Sequence, residues 1–149
     1  MAQGITILEQ VKDIFECTEM DINAYSPLTL AYIGDDFYDL IIRTIVVERA
    51  NRPANDLHKM TVQYVKAQAQ SQMAEALAAE EGLLTEREAD IYRRGRNAKS
   101  HTTAKNASVA DYRRATGFEA LIGYLYLTGD QERAVRLVKK GLELTGRTI

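Results

Sequence analysis

Apolar residues recur at steps of three and four along almost the whole chain, and no stretch combines strict alternation with hairpin-turn residues. That pattern predicts an all-α fold of about seven helices. A first helix carries Ile7, Leu8, Val11, Ile14 and Phe15 and ends near Cys17. A second opens at Ser26-Pro27, a capping residue followed by a proline in the first turn, where its missing N–H costs nothing. Its apolar stripe reads Leu30, Ile33, Phe37, Leu40, Ile41, Thr44 and Ile45, which sets Asp35 and Asp39 on the other side. After a turn at 51–55, one long helical pattern runs through Leu57, Met60, Tyr64, Val65, Met73 and Leu77 to a stop at Gly82. Thr85 with Glu88 reads as a capping box for a helix carrying Ile91 and Tyr92, and the pattern fails from Gly95. Ser108 with Asp111 opens a helix through Tyr112, Phe118, Leu121, Ile122 and Leu125 that ends at Gly129. Asp130 caps the last helix, through Ala134, Val135, Leu137, Val138 and Leu142.

At 149 residues, with no internal repeat or linker, the chain reads as one domain, able to bury roughly two-thirds of its unfolded surface without disulfides. The lone Cys17 rules out an intrachain disulfide framework and a Cys-rich zinc site; a packed thiol in a reducing compartment is the expectation. The amino terminus lacks a basic start followed by an apolar run, so the expected location is the cytoplasm. No apolar run approaches the roughly twenty residues that span a bilayer, so no membrane role is expected.

Net charge is only −2, so a polyanionic partner would have to be met locally. Between Asp90 and Asp111 lie Arg93, Arg94, Arg96, Lys99 and Lys105, with His101 and no acidic residue; without those five cations the rest of the chain carries −7. Asn97, Ser100, Thr102, Thr103 and Asn106 add hydrogen-bonding groups of the kind that grip phosphate oxygens. Such a segment suits a nucleic-acid backbone, and composition alone leaves a solvated surface loop equally open.

Two carboxylates stand in awkward places. Asp35 follows Gly34 inside a helix, where glycine costs roughly 1 kcal/mol against alanine unless something must approach the backbone closely. Glu119 sits between Phe118 and Ala120-Leu121-Ile122. A carboxylate in apolar surroundings is paired, protonated or metal-bound; the alternative is a solvated Glu at the helix rim. On facing helices the two would offer oxygen ligands to a hard cation such as Mg²⁺. With only His58 and His101, and no HExxH motif, nucleophile elbow or Walker loop, any catalysis would fall to carboxylates and metal.

The string Leu28-Thr29-Leu30-Ala31-Tyr32-Ile33-Gly34-Asp35 resembles the signature of the ribonuclease III family. Thr116-Gly117-Phe118-Glu119-Ala120-Leu121-Ile122-Gly123-Tyr124-Leu125-Tyr126-Leu127 resembles its second catalytic helix, in matching order and separation. With Gly95-Arg96-Asn97-Ala98-Lys99-Ser100, and no sequence for an appended RNA-binding domain, the likeness is to the compact Mini-III ribonucleases and covers roughly residues 27–142.

This resemblance implies the ribonuclease III catalytic-domain fold in a homodimer that cleaves both strands of double-stranded RNA and leaves 5′-phosphate and 3′-hydroxyl ends. Its substrate would be the precursor of 23S ribosomal RNA, with a ribosomal protein as an auxiliary partner. Asp35 and Glu119 would be catalytic and would hold Mg²⁺, with Mn²⁺ as substitute, while Arg93, Arg94, Arg96, Lys99, Ser100 and Lys105 would bind RNA. The sequence has Ala31 and Thr116 where the larger enzymes carry further carboxylates, so Asp39 is a candidate to assist through water. A non-catalytic RNA-binding component of a ribonucleoprotein on the same fold is the alternative, and a helical protein-interaction module ranks behind both.

Overall fold

In a computed structural model, residues 6–99 and 108–149 are described. They form seven α-helices: α1 (Ile7–Ile14), α2 (Pro27–Arg49), α3 (Ala54–Val65), α4 (Ala67–Ala79), α5 (Glu86–Asn97), α6 (Val109–Leu127) and α7 (Gln131–Leu144). A short 3₁₀ turn at Ile22–Ala24 precedes α2. The expected caps are in place. Ser26 Oγ accepts from Thr29 N at 3.2 Å, Ser108 Oγ from Asp111 N at 3.0 Å, and Asp130 Oδ1 from Arg133 N at 3.3 Å. Thr85 and Glu88 close a reciprocal capping box.

The centre of the molecule is α6, which packs against α2, α4, α5 and α7. Ala115 to Phe118, Ala120 to Gly123 and Leu125 are all buried, so the helix is apolar on nearly every side, as an interior helix must be. The main core gathers Tyr38, Ile42, Met73, Leu77, Phe118, Leu121, Ile122 and Leu137 around it, and Leu30, Ala31, Ile91 and Ala120 form a smaller cluster.

Small residues set the closest approaches. A β-carbon placed on Gly34 would lie 1.7 Å from the Glu119 carbonyl oxygen, and one on Gly123 would lie 1.9 Å from that of Leu30, so α2 and α6 touch backbone to backbone. A β-carbon on Gly95 would lie 2.8 Å from Ala120 Cβ and 2.9 Å from Gly117 Cα, which brings α5 almost as near to α6. This packing carries α5 through to Asn97, beyond Gly95, where the apolar pattern fails.

The contact of α2 with α6 also changes the phase of α2. Its buried arc is Leu30, Ala31, Gly34, Tyr38, Ile41, Ile42 and Val46, while Leu40 is 55% exposed. Large apolar residues are misleading here because the face in contact is made by an alanine and a glycine. Asp35 therefore lies at the margin of the buried arc and not opposite it.

The expected long helix after residue 55 is two helices. Lys66, with φ −65° and ψ 152°, separates α3 from α4. No Gly or Pro marks the break. Tertiary partners hold its freed carbonyls instead: Tyr38 Oη donates to Tyr64 O at 2.6 Å and Gln70 Nε2 to Val65 O at 2.7 Å.

At the amino-terminal end, α1 forms where the pattern places it, but buries none of its residues; Ile14 and Phe15 are 74% and 75% exposed. Cys17 is a free, exposed thiol, not a packed one. His58 is also exposed. Deeper in the fold, Arg133 on α7 donates to both carboxylate oxygens of buried Glu88 at 2.8 Å and to Leu83 O at 2.7 Å, tying α5 to α7. Burial would raise the Glu88 pKa, but Arg133 and the Thr85 N–H outweigh it and hold the carboxyl below its usual range. Among the described residues no helix is long and apolar enough to cross a membrane.

Candidate active site

Asp35 and Glu119 meet because the residues beside them cannot be larger. Gly34 presses on the Glu119 carbonyl, so the next residue on α2, Asp35, projects from the seam beside the Glu119 side chain. The two carboxyls are close enough for Asp35 to act directly on the titration of Glu119. Glu119 is half-buried in the seam and Asp35 is exposed at its mouth, so the pair opens to solvent from the Asp35 side.

Burial first, and then the neighbouring Asp35 carboxylate, push the Glu119 pKa up to about 9. At neutral pH Glu119 therefore keeps its proton. Gln70 opposes the shift, its amide donating towards the carboxyl and favouring the ionised form. Burial and the adjacent Asp35 thus favour a protonated Glu119 over a freely solvated one.

Asp39, one turn beyond Asp35, forms an ion pair with Arg43 at 3.0 Å. Ala31 and Thr116 are both buried, at 7% and 8% exposure, and Thr116 Oγ1 donates to its own helix at Tyr112 O. Among the described residues no group of three or more His, Cys, Asp and Glu side chains is gathered to hold a metal ion. The carboxyls brought together at the seam are therefore this pair.

The basic residues collect at the carboxy-terminal end of α5. Arg93, Arg94 and Lys99 are exposed. Arg93 pairs with Asp90, and Arg96 lies over the Tyr92 ring at 5.6 Å from its centroid. Arg94 and Lys99 make no ion pair among the described residues. Since Gly95 rests on Gly117 and Ala120, this cationic end is held against the stretch of α6 that carries Glu119. Ser100 and Lys105, also expected to bind RNA, lie outside the described residues.

Residues 28–130 match the Ribonuclease III domain and contain both carboxylates and the whole seam between α2 and α6. The chain belongs to the ribonuclease III family. Among similar ribonucleases is the Mini-ribonuclease 3 of Thermoanaerobacter sp. (strain X514), 51% identical over 85% of this chain and 87% of that one. The Mini-ribonuclease 3 of Enterococcus faecalis is 47% identical over 86% of this chain and 96% of its own length, and that of Clostridium tetani 46% over 87% and 84%. A crystal structure of a Fusobacterium nucleatum protein superposes with a TM-score of 0.73 at 29% identity, covering 84% of this chain and 98% of that one. The chain is thus a ribonuclease III-type endoribonuclease of the Mini-ribonuclease 3 group. Its family acts on RNA and generally depends on a divalent metal ion.

The sequence reading missed Gln70. Its signal was a long polar residue, beside Ser71, on a face of α4 otherwise made of Ala69, Met73, Ala74 and Leu77, a face obscured while α3 and α4 are read as one helix.

Proposed function

We propose that the chain is a Mg²⁺-dependent, double-strand-specific endoribonuclease whose catalytic and metal-binding residues are Asp35 and Glu119. The observation that carries this reading is the pair of neighbouring carboxyls at the close α2–α6 seam, Glu119 half-buried with its pKa raised and Asp35 open to solvent. Two hard oxygen donors suit Mg²⁺, which keeps several waters and needs few protein ligands. When bound, the ion supplies an acidified water and compensates charge at the phosphorus, leaving 5′-phosphate and 3′-hydroxyl ends; Mn²⁺ is the substitute. Asp35 and Glu119 would hold the ion, Glu119 after releasing its proton to solvent, and Asp39 would assist through water.

The cationic end of α5 supplies the grip on RNA. A-form duplex displays phosphates and 2′-hydroxyls across a wide, shallow minor groove, which favours recognition by shape. Arg94 and Lys99 are the exposed cations best placed for phosphate; Arg93, Arg96, Ser100 and Lys105 complete the assignment. Tyr32, Leu40 and Val47, 79%, 55% and 58% exposed on the outward side of α2, support a homodimer, which puts one carboxylate pair against each strand. Likeness to the Mini-ribonuclease 3 proteins supports precursor 23S ribosomal RNA as substrate, a ribosomal protein as auxiliary and the cytoplasm as the place of action.

The test is incubation of a long RNA duplex and a matched single strand with Mg²⁺ and the natural protein, Asp35→Asn or Glu119→Gln. The natural protein should cut the duplex alone, and both variants should fold and bind it without cutting. Duplex binding without cleavage by the natural protein in Mg²⁺ or Mn²⁺ would sink the enzyme assignment and favour a non-catalytic ribonucleoprotein component.

A further inference from the structure

Gln70 is 2% exposed in an apolar part of the core, where an amide costs free energy unless its hydrogen bonds are made. Its Nε2 donates to Val65 O at 2.7 Å, a carbonyl freed by the break between α3 and α4. The same amide lies close enough to Glu119 to favour its ionised form. Its Oε1 is buried and has no protein partner. Turning the amide over would set Oε1 against the Val65 carbonyl, oxygen facing oxygen, so the orientation is dictated by the helix break.

The other carbonyl at this corner, Tyr64 O, accepts from Tyr38, whose ring stands edge-on to Phe118 with centroids 5.1 Å apart. Tyr38 is one turn beyond Asp35, and Phe118 adjoins Glu119. The corner between α3 and α4 is thus fastened to α2 and α6 beside the carboxylates.

Resting on the assignment of Asp35 and Glu119 as metal ligands, we propose that Gln70 is a positioning residue whose amide, fixed by the Val65 carbonyl, holds the Glu119 carboxylate in the orientation that receives the cation. One N–H is used on Val65, which leaves the second for the carboxylate once Glu119 has lost its proton. A neutral donor is the suitable chemistry. A lysine or arginine would compete with the metal, an aliphatic residue would leave a carboxylate oxygen unsatisfied, and another carboxylate would only repel. With so few carboxylates, the site has little tolerance for a ligand that rotates.

The test replaces Gln70 with Leu, close in volume and suited to the apolar face, and independently with unbranched Met. Mn²⁺ binding to the RNA-free protein is followed by calorimetry, duplex affinity is measured in EDTA, and cleavage is titrated with Mg²⁺. The expected result is Mn²⁺ binding weakened about tenfold, a similar rise in the Mg²⁺ needed for half-maximal cleavage, and unchanged duplex affinity. Natural Mn²⁺ affinity in whichever replacement folds would overturn the proposal, as would loss of metal and duplex affinity in parallel, the mark of a purely structural residue. Failure of the natural protein to bind Mn²⁺, or undiminished binding by Glu119→Gln, would instead overturn the assignment of the carboxylates.

Discussion

The carbonyl oxygen of Glu119 occupies the space that a β-carbon at position 34 would need: the two would be 1.7 Å apart. One glycine thereby sets both the spacing of α2 from α6 and the meeting of their carboxylates. The colliding atom is backbone, so no rotamer change relieves it. Gly34→Ala is expected to cost more than about 4 kcal/mol of stability or to prevent folding. Urea denaturation would measure this; a midpoint like that of the natural protein would contradict the close contact.

An unfolded glutamate titrates near 4.5, whereas Glu119 in the fold titrates at about 9. Between those values the folded chain holds a proton that the unfolded chain has released, so this residue's contribution to stability falls as pH rises across the window. Metal-free natural protein should accordingly melt at lower temperature at pH 8.5 than at pH 6 by an amount missing from Glu119→Gln. Thermal melts of both proteins at the two pH values test this, and equal pH dependence would contradict it.

On the proposed assignment a bound cation would take the place of that proton, so Mg²⁺ and Mn²⁺ binding should release close to one proton and strengthen as pH rises towards 9. Calorimetry in buffers of different ionisation enthalpy counts the protons directly. Binding with no proton release would place the ion elsewhere.

Arg94 and Lys99 should each contribute through phosphate. Replacing either with Ala is expected to weaken duplex binding across sequences and to lower the slope of log affinity against log salt by about one. Filter binding over a salt series reads both quantities. An unchanged slope in the double variant would remove these residues from the RNA interface.

Buried Glu88 and half-buried Arg133 form a bidentate pair, so removing one partner should cost more than a surface ion pair. Arg133→Met, leaving a carboxylate buried at 5% exposure, should destabilise by about 3 kcal/mol near neutral pH. Since pairing holds Glu88 below its ordinary range, its contribution is present above the unfolded carboxyl's pKa and lost as pH falls through the folded one. The difference between the two proteins should therefore narrow in acid.

Local chemistry made much of this protein legible in its sequence. Ser26, Thr85, Ser108 and Asp130 cap the helices they precede because a cap needs only a side-chain oxygen and the next turn of backbone. Glu119 among apolar neighbours and Gly34 before Asp35 pointed to the site because each is costly without a nearby partner. Three features depended on groups far apart in the chain. The phase of α2 was set by Gly34 against α6, a contact without large side chains for a periodicity to register. The break at Lys66 is held by Tyr38 and Gln70, not by a local breaker. Gln70 comes near Glu119 because α4, starting afresh after that break, packs against α6. Hydrogen bonds within one turn are written in adjacent residues, whereas the closest approach of two helices is decided by the smallest atoms between them, and these meet only once the chain has folded.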